Sequence, residues 1–265
     1  MSIYCISDIH GCFIEFNKML RLINFQESDE LYILGDIFDR GPASAEMLWW
    51  ATKQAPANVH FLLGNHEDMM LAADYNYYNR DRIELQLSDS WARNYGFETI
   101  TQIRNFDRYN EKWEQEILDW VDCLPLFYDV QVNGRRFILV HAGLQSEEGL
   151  SSYFTANSKK DYSINIEGCP CRQESQALLW ERNTWIADRY EWPFDIVCGH
   201  TPTCGIPFEV MREFGFEIEQ ASEGKIAHID ARKHFIDCGV HKGYYLGCLR
   251  LDDMKEFYVK SLIDD

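Results

Sequence analysis

The chain has 265 residues, and its 46% hydrophobic content is enough to fill the core of one globular domain over residues 1–265. Acidic residues outnumber basic ones by 43 to 25, so the net charge of −18 repels polyanions and argues against nucleic acid as a partner. The sequence contains neither a basic, apolar leader nor about 18 consecutive apolar residues, so we expect a cytoplasmic protein without membrane partners.

The first 64 residues predict three strands that alternate with two helices. Apolar runs at 2–7, 31–35 and 59–64 are typical of buried strands. Apolar residues at helical spacing predict one helix after Gly11 and another over 43–55. Strands that alternate with helices in this way predict a parallel βαβαβ core.

Residues 68–122 predict a helical insertion that packs beside or over the site. The stretch is polar and helical in pattern and contains no comparable strand signal. Its aromatic residues allow two interpretations, since they could stack on a base or a phosphotyrosine ring, or could anchor a helix to the sheet. These residues are Tyr75, Tyr77, Tyr78, Trp91 and Tyr95.

The pattern changes near Phe127, where a second set of strands begins. Two apolar runs flank Asn133–Gly134, a dipeptide suited to a type I′ hairpin turn, and they predict a second, mainly antiparallel sheet. Further short strands are predicted at 195–199, 225–230, 234–238, 244–251 and 256–262.

Nine cysteines, several of them inside apolar runs, predict reduced thiols rather than a disulfide framework. Cys169 and Cys171 could hold a structural zinc together with Cys198 or Cys204. Their C-x-C spacing and the lack of a second pair argue against such a site.

Six polar residues that follow predicted apolar runs form the strongest functional signal. Each one alone has an ordinary explanation, as a cap, a turn residue or a hydrogen-bonded core histidine. Together they indicate convergence, because the carboxyl ends of strands in an open α/β sheet meet at a ligand-binding edge. The six residues are Asp8, His10, Asp36, Asn65, His141 and His200.

This set predicts a dinuclear metal site. Carboxylate, imidazole and amide ligands suit Mn, Fe or Zn, and six such groups exceed the needs of one tetrahedral ion. Asp36 is central in the order, so we expect it to bridge two divalent ions at roughly 3.5–4 Å from each other. Asp8 and His10 would complete one ion, and the three later residues of the set would complete the other.

Five short motifs carry a resemblance to a known family. They are SDIHG (7–11), GDIFDRG (35–41), GNHE (64–67), HAGL (141–144) and GHT (199–201). In this order they resemble the phosphoprotein phosphatase (PPP)-type metallophosphatases of the calcineurin-like superfamily, most closely the bacterial and phage serine/threonine phosphatases. The resemblance implies a four-layer α/β/β/α sandwich, in which helices flank two mixed β-sheets.

The chemistry of phosphoryl transfer and this resemblance together imply roles for four further residues. A water that bridges the metals would attack the phosphorus. Arg40 and Arg182 would hold the phosphate oxygens, although Arg182 alone could equally form a structural salt bridge. His66 would protonate the leaving oxygen, and Asp39 would orient its ring. Another histidine, His241, has a possible place near the site.

The leading prediction is a serine/threonine protein phosphatase with possible phosphotyrosine activity, acting on phosphoproteins or small phosphoesters. Thr201–Pro202 follows Gly199–His200, where metal-dependent phosphodiesterases usually have a GHxH ending, and this favours a monoesterase over a nuclease. The alternative is a symmetrical bis(5'-nucleosyl)-tetraphosphatase, since relatives with the same motifs split diadenosine tetraphosphate. A third hypothesis is a catalytically silent binding module.

Overall fold

The computed structural model describes residues 1–73, 88–144, 176–187, 191–206, 212, 221–229 and 232–263. Its strands form two five-stranded sheets. The first sheet contains β1 (Ile3–Ile6), β2 (Glu30–Ile33), β3 (Val59–Phe61), β9 (Tyr245–Arg250) and β10 (Lys255–Lys260). The second sheet contains β4 (Phe127–Val132), β5 (Arg135–Val140), β6 (Asp195–Cys198), β7 (Ala227–Ile229) and β8 (Lys233–Phe235).

The first sheet has the strand order β10-β9-β1-β2-β3. Strands β1, β2 and β3 are parallel, and helices connect them, so the predicted βαβαβ core is confirmed. The last two strands of the chain, β9 and β10, return to this sheet and pair antiparallel beside β1. This first sheet is therefore mixed.

The second sheet has the order β4-β5-β6-β8-β7, and its centre differs from the prediction. The hairpin at Asn133–Gly134 makes β4 and β5 antiparallel, as expected, but β5, β6 and β8 are parallel. The prediction of a mainly antiparallel sheet is therefore wrong. A two-residue turn fixes the direction of its two flanking strands only, whereas residues 141–194 separate β5 from β6 and permit a parallel crossover.

The two sheets pack face to face through residues that alternate along their strands. In β1, Ile3 and Cys5 belong to the cluster between the sheets, whereas Tyr4 and Ile6 face the helices. The second sheet contributes residues such as Phe137 to the same inter-sheet cluster. Successive side chains of a strand point to opposite faces of the sheet, so a strand that is covered on both sides buries all of them.

Helices cover the outer faces of both sheets, so the predicted four-layer α/β/β/α arrangement is confirmed. They are α1 (Phe13–Leu22), α2 (Ser44–Lys53), α3 (Asn65–Ala73), α4 (Asp89–Ala92), α5 (Gly96–Asn105), α6 (Glu111–Asp122), α7 (Gln176–Trp180) and α8 (Asn183–Ala187). Helices α3–α6 occupy the segment predicted as a helical insertion, although α3 begins three residues before the predicted start at 68. None of the helices in the described ranges is long and apolar enough to cross a membrane.

Trp113 anchors α6 against α2. Its side chain is fully buried, its Nε1 donates to Oγ1 of Thr52 at 3.1 Å, and its ring meets that of Trp49 edge-on at 5.2 Å between centroids. The helix begins with a side-chain cap, since Oδ1 of Asn110 accepts the Trp113 backbone N–H. This large side chain therefore holds α6 against α2.

Replacing Trp113 by alanine should lower the free energy of unfolding by about 3–5 kcal/mol, because it opens a cavity and leaves Thr52 without a donor. Urea denaturation followed by circular dichroism measures this change. The matched control is Phe97→Ala in α5, where 63% of the side chain is exposed and the loss should stay within about 0.5 kcal/mol. Equal losses in the two variants would contradict the anchoring role.

Candidate dinuclear metal and phosphate site

The six predicted ligands converge at one edge of the sandwich. Asp8 and His10 follow β1, Asp36 follows β2, and Asn65 opens α3. The remaining two, His141 and His200, follow β5 and β6, so both sheets contribute. All six side chains are buried.

The chain adopts the left-handed conformation at several of these positions. Asp8, His10, Asp36 and His200 have φ values of 52°, 47°, 55° and 63°. Left-handed φ is unfavourable for residues with a Cβ, and such residues concentrate at functional sites. These turns direct side chains from the strand ends towards a common centre.

Two motif glycines leave room for the ligands. A Cβ at Gly64 would lie 2.3 Å from Oδ1 of Asp36, and a Cβ at Gly199 would lie 2.1 Å from Oδ2 of Asp8. Both distances are far below a van der Waals contact, so any other residue would displace the carboxylates. The glycines of GNHE and GHT therefore allow the backbone to approach these two carboxylates, because they have no side chain.

Asp36 is shared by two groups of candidate ligand atoms. On one side, its Oδ2 lies 3.7 Å from Nε2 of His10 and 3.8 Å from Nε2 of His66. On the other, its Oδ1 lies 3.5 Å from Nε2 of His141, and His200 completes the group. This shared position is the one the sequence predicted for a bridging carboxylate.

Asn65 joins the second group, the one that contains His141 and His200, and its atoms lie closer together than those of the first. Oδ1 of Asn65 lies 2.9 Å from Nε2 of His141 and 2.8 Å from Nδ1 of His200, and the two imidazole nitrogens are 3.2 Å apart. Three ligand-type atoms thus meet at one point. Asp8 stands apart, with its Oδ1 3.9 Å from Nε2 of His10 and its Oδ2 accepting the backbone N–H of His200 at 2.8 Å.

Backbone carbonyls orient two of the histidines. Nδ1 of His10 donates to the carbonyl of Phe38 at 3.0 Å, and Nδ1 of His141 donates to the carbonyl of Leu34 at 2.7 Å. In both neutral rings this leaves Nε2 without a proton, at 3.7 Å and 3.5 Å from the carboxylate oxygens of Asp36. Such a second hydrogen bond commonly fixes the tautomer of a metal-ligating histidine.

Burial sets the electrostatics of this cluster. It raises the pKa of Asp8 and of Asp36, and it lowers the pKa of His10, His141 and His200. Carboxylates withdrawn from water need nearby positive charge to remain ionised. The donor set, the shared carboxylate and the neutral imidazoles therefore fit two divalent cations.

Glu67 supports the ligands, although no role was predicted for it from the sequence. Its buried carboxylate accepts the backbone N–H groups of Asp36, Ile37 and Gly64 at 2.8, 2.9 and 2.9 Å. Burial, followed by the charge of Asp36, raises the pKa of Glu67 to about 8. The residue ties the loop after β2 to the start of α3. Its place in the GNHE motif was the only available signal.

The predicted phosphate-binding residues line a cavity of about 530 Å³ beside the ligands. Arg40 donates from Nη1 to Nε2 of His10 at 2.7 Å, and Arg182 donates from Nη1 to the carbonyl of His200 at 2.7 Å. His241 lies there too, 3.4 Å from Nη1 of Arg40. The cavity is lined by Arg40, Tyr95, Arg182, His200, Pro202, His241 and Lys242.

His66 and Asp39 form a hydrogen-bonded pair. Nδ1 of His66 lies 2.6 Å from Oδ2 of Asp39, and both side chains are fully buried. Within the described part of the chain, the buried Nε2 of His66 has no hydrogen-bond partner. Burial lowers the pKa of His66 to about 4 and raises that of Asp39 to about 7. An anionic substrate beside Nε2 would raise the pKa of the ring again.

The structure resolves part of the question about the aromatic residues of the helical segment. Trp91 is fully buried and donates from Nε1 to Oδ2 of Asp39 at 2.9 Å. Its ring therefore packs inside the protein and is not exposed for stacking on a ligand. Tyr95 is 49% exposed at the cavity. Tyr75, Tyr77 and Tyr78 lie outside the described residues.

The zinc alternative involving Cys169 and Cys171 also lies outside the described residues. Of its suggested partners, Cys198 is buried and accepts a hydrogen bond from Trp185, and Cys204 is partly exposed. Burial raises the pKa of both thiols, which keeps them protonated.

Comparison with known proteins gives this site a family context. The family model for calcineurin-like phosphoesterases matches residues 1–221. A symmetrical bis(5'-nucleosyl)-tetraphosphatase from Chromobacterium violaceum is 31% identical over 166 residues, which cover 62% of this chain and 51% of that protein. The chain spans about half the length of the curated relatives it matches first.

Two solved structures share the fold at low sequence identity. A candidate diadenosine tetraphosphatase superposes with a TM-score of 0.57 at 14% identity, covering 99% of this chain and 95% of that one. A serine/threonine phosphatase from Saccharomyces cerevisiae superposes with a TM-score of 0.56 at 17% identity, covering 100% of this chain and 81% of that one. At such identities the likeness concerns the fold alone. The family model, in contrast, covers well over half of the sequence, and the protein belongs to the calcineurin-like phosphoesterase family.

Proposed function

We propose that the protein is a metal-dependent phosphoesterase whose substrate is a dinucleoside polyphosphate such as diadenosine tetraphosphate. The observation that carries this proposal is the cationic cavity beside the shared carboxylate. Arg40, Arg182 and Lys242 line it, although the chain as a whole carries a net charge of −18. Three cations around one cavity suit a substrate with several phosphates, and relatives named symmetrical tetraphosphatases support the same choice.

A phosphoserine peptide, the leading prediction from the sequence, is the second candidate. The observation in its favour is the buried His66–Asp39 pair. A seryl alkoxide is a poor leaving group and needs a proton from the enzyme, whereas a nucleoside diphosphate leaves more easily without one. The leaving-group machinery and the cationic cavity thus favour different substrates, and a comparison of rates on both substrates distinguishes them.

The proposed chemistry assigns each group a task. Calcineurin-like phosphoesterases use a dinuclear divalent metal centre, and when bound it supplies an activated water and neutralises charge on the phosphate. Asp36 would be shared between the two ions, with Asp8 and the remaining predicted ligands around it. Arg40 and Arg182 would hold the nonbridging oxygens through bidentate contacts. His66 would present Nε2 to the leaving oxygen while Asp39 holds Nδ1.

The first experiment removes the metals, reloads the protein with manganese, and compares initial rates on three substrates. These are diadenosine tetraphosphate, a phosphoserine peptide and a phosphotyrosine peptide at matched concentrations. Preference for the dinucleotide supports the proposal, and preference for a peptide replaces it with the second candidate. Silence on all three by fully loaded protein would favour a binding module without catalysis.

The proposed role of His66 as proton donor predicts a separation between turnover and metal content. His66→Asn should lower kcat by about 10²- to 10⁴-fold, the usual contribution of a general acid, while most of the metal stays bound. Asp36→Asn should lose both metal and turnover, because it removes the shared carboxylate. Elemental analysis and steady-state kinetics measure the two quantities.

His66 lies within one of the candidate ligand groups, so this separation is a demanding test. Equal metal loss in His66→Asn and Asp36→Asn would make His66 a ligand and end its assignment as an acid. Glu46→Gln, at an exposed position of α2 outside both ligand groups, controls for loss of charge and should retain metal and rate.

The cavity predicts that Lys242 distinguishes long substrates from short ones. Lys242→Gln should raise KM for diadenosine tetraphosphate about tenfold, the effect of one charge-assisted contact, and leave KM for p-nitrophenyl phosphate within about twofold. The matched control is Lys112→Gln, whose side chain is 83% exposed on α6 away from the cavity. An equal rise in KM for both substrates would show that Lys242 does not contact the additional phosphates.

A further inference from the structure

The carboxylate of Asp39 accepts hydrogen bonds from two side chains in addition to His66. Besides Nδ1 of His66, it accepts the indole N–H of Trp91 at Oδ2 and the hydroxyl of Thr99 at Oδ1. Trp91 and Thr99 belong to α4 and α5, in the helical segment. Donors from this segment therefore reach both oxygens of a carboxylate that lies on a loop of the first sheet.

Helix α5 also holds the backbone of that loop. Nε2 of Gln102 donates to the carbonyl of Gly41 at 3.1 Å, and Oε1 of Gln102 accepts the backbone N–H of Ser44 at 2.6 Å. Thr99 and Gln102 are three residues apart and so share one face of the helix. The loop that carries Asp39 and Arg40 is thus fastened to α5 at its side chain and at its backbone.

The two donors are themselves fixed in place. A Cβ on Gly96, the first residue of α5, would lie 2.5 Å from Cδ2 and Cγ of Trp91, so the backbone of the helix packs directly against the indole. Tyr95, which precedes it, adopts the left-handed conformation with φ of 73° and makes this close turn between α4 and α5. Trp91 and Thr99 are both fully buried.

We propose that Trp91 and Thr99 are positioning residues of the hydrolytic site: their hydrogen bonds hold Asp39 so that Oδ2 accepts Nδ1–H of His66. Thr99 holds Oδ1, and Trp91 holds Oδ2 through a second hydrogen bond to the oxygen that also accepts from the histidine. With Nδ1 held, Nε2 of His66 keeps its direction towards the substrate. This inference rests on the proposed role of His66 as proton donor.

Thr99→Val removes the hydroxyl and keeps the shape, and Trp91→Phe removes the indole N–H. Each should lower kcat about tenfold on the fastest wild-type substrate, part of the 10²- to 10⁴-fold contribution of a general acid, with KM and metal content unchanged within about twofold. Thr99→Ser should restore most of the rate. Trp113→Phe is the matched control, since it removes a buried indole hydrogen bond in the same segment that does not touch Asp39.

A double-mutant cycle separates positioning from a general loss of structure. Because both residues act through His66, Thr99→Val should cost less than about twofold in a His66→Asn background. A loss that is undiminished in that background overturns the proposal. So does a rate equal to that of wild type in both single variants.

A measurement independent of turnover uses the hydrogen-bonded Nδ1 proton of His66. In proton NMR of the metal-free protein it should give a downfield resonance, which is assigned by its absence in His66→Asn. It should move upfield or disappear in Thr99→Val and persist in Trp113→Phe; persistence in both Thr99→Val and Trp91→Phe overturns the proposal. If loaded wild-type protein hydrolyses none of the three substrates, the proposed function fails, and this resonance alone decides the positioning inference.

Discussion

The withdrawal of several carboxylates from water is the constraint on which this structure depends. Each buried ion costs several kcal/mol unless protein groups replace its hydration. Backbone N–H groups supply much of that replacement, as at Glu67, which accepts three of them, and at Asp8, which accepts the N–H of His200. Since those donors come from loops of different strands, the same hydrogen bonds that solvate the charges also fasten the loops together.

The sandwich around the cluster compensates for an unfavourable backbone. Asp39 and Arg40, like four of the six candidate ligands, have positive φ values, and residues with a Cβ pay of order 1–3 kcal/mol for such conformations. A five-stranded sheet on each side and a continuous apolar layer between them provide the opposing stabilisation. A small domain with one sheet would bury less apolar surface and would have less stabilisation to offset this strain.

Features that depend on a few neighbouring residues could be predicted from the sequence. Apolar runs located the parallel strands of the first sheet, and polar residues at their ends brought Asp8, His10 and Asp36 to one edge. Parallel pairing in the second sheet was missed, because the Asn133–Gly134 turn informs only on its own two strands.

Residues whose roles arise from tertiary contacts were also missed. Thr99 lies sixty residues from Asp39 along the chain, and nothing in the local sequence around α5 indicates that its hydroxyl reaches a carboxylate. Trp91 was recognised only as one aromatic among several, and burial was needed to separate it from Tyr95. Glu67 stood inside a motif, yet its carboxylate acts on backbone groups of another loop.

The cationic cavity on a strongly acidic chain has a consequence for how an anionic ligand arrives. At distances greater than the Debye length, about 8 Å at physiological ionic strength, counterions screen the overall negative field, whereas the cavity itself is lined by the positive charges of Arg40, Arg182 and Lys242. In dilute buffer the repulsion extends further and slows the approach. Moderate salt should therefore speed the encounter with an anionic ligand, the reverse of ordinary electrostatic steering, until screening inside the cavity itself becomes limiting.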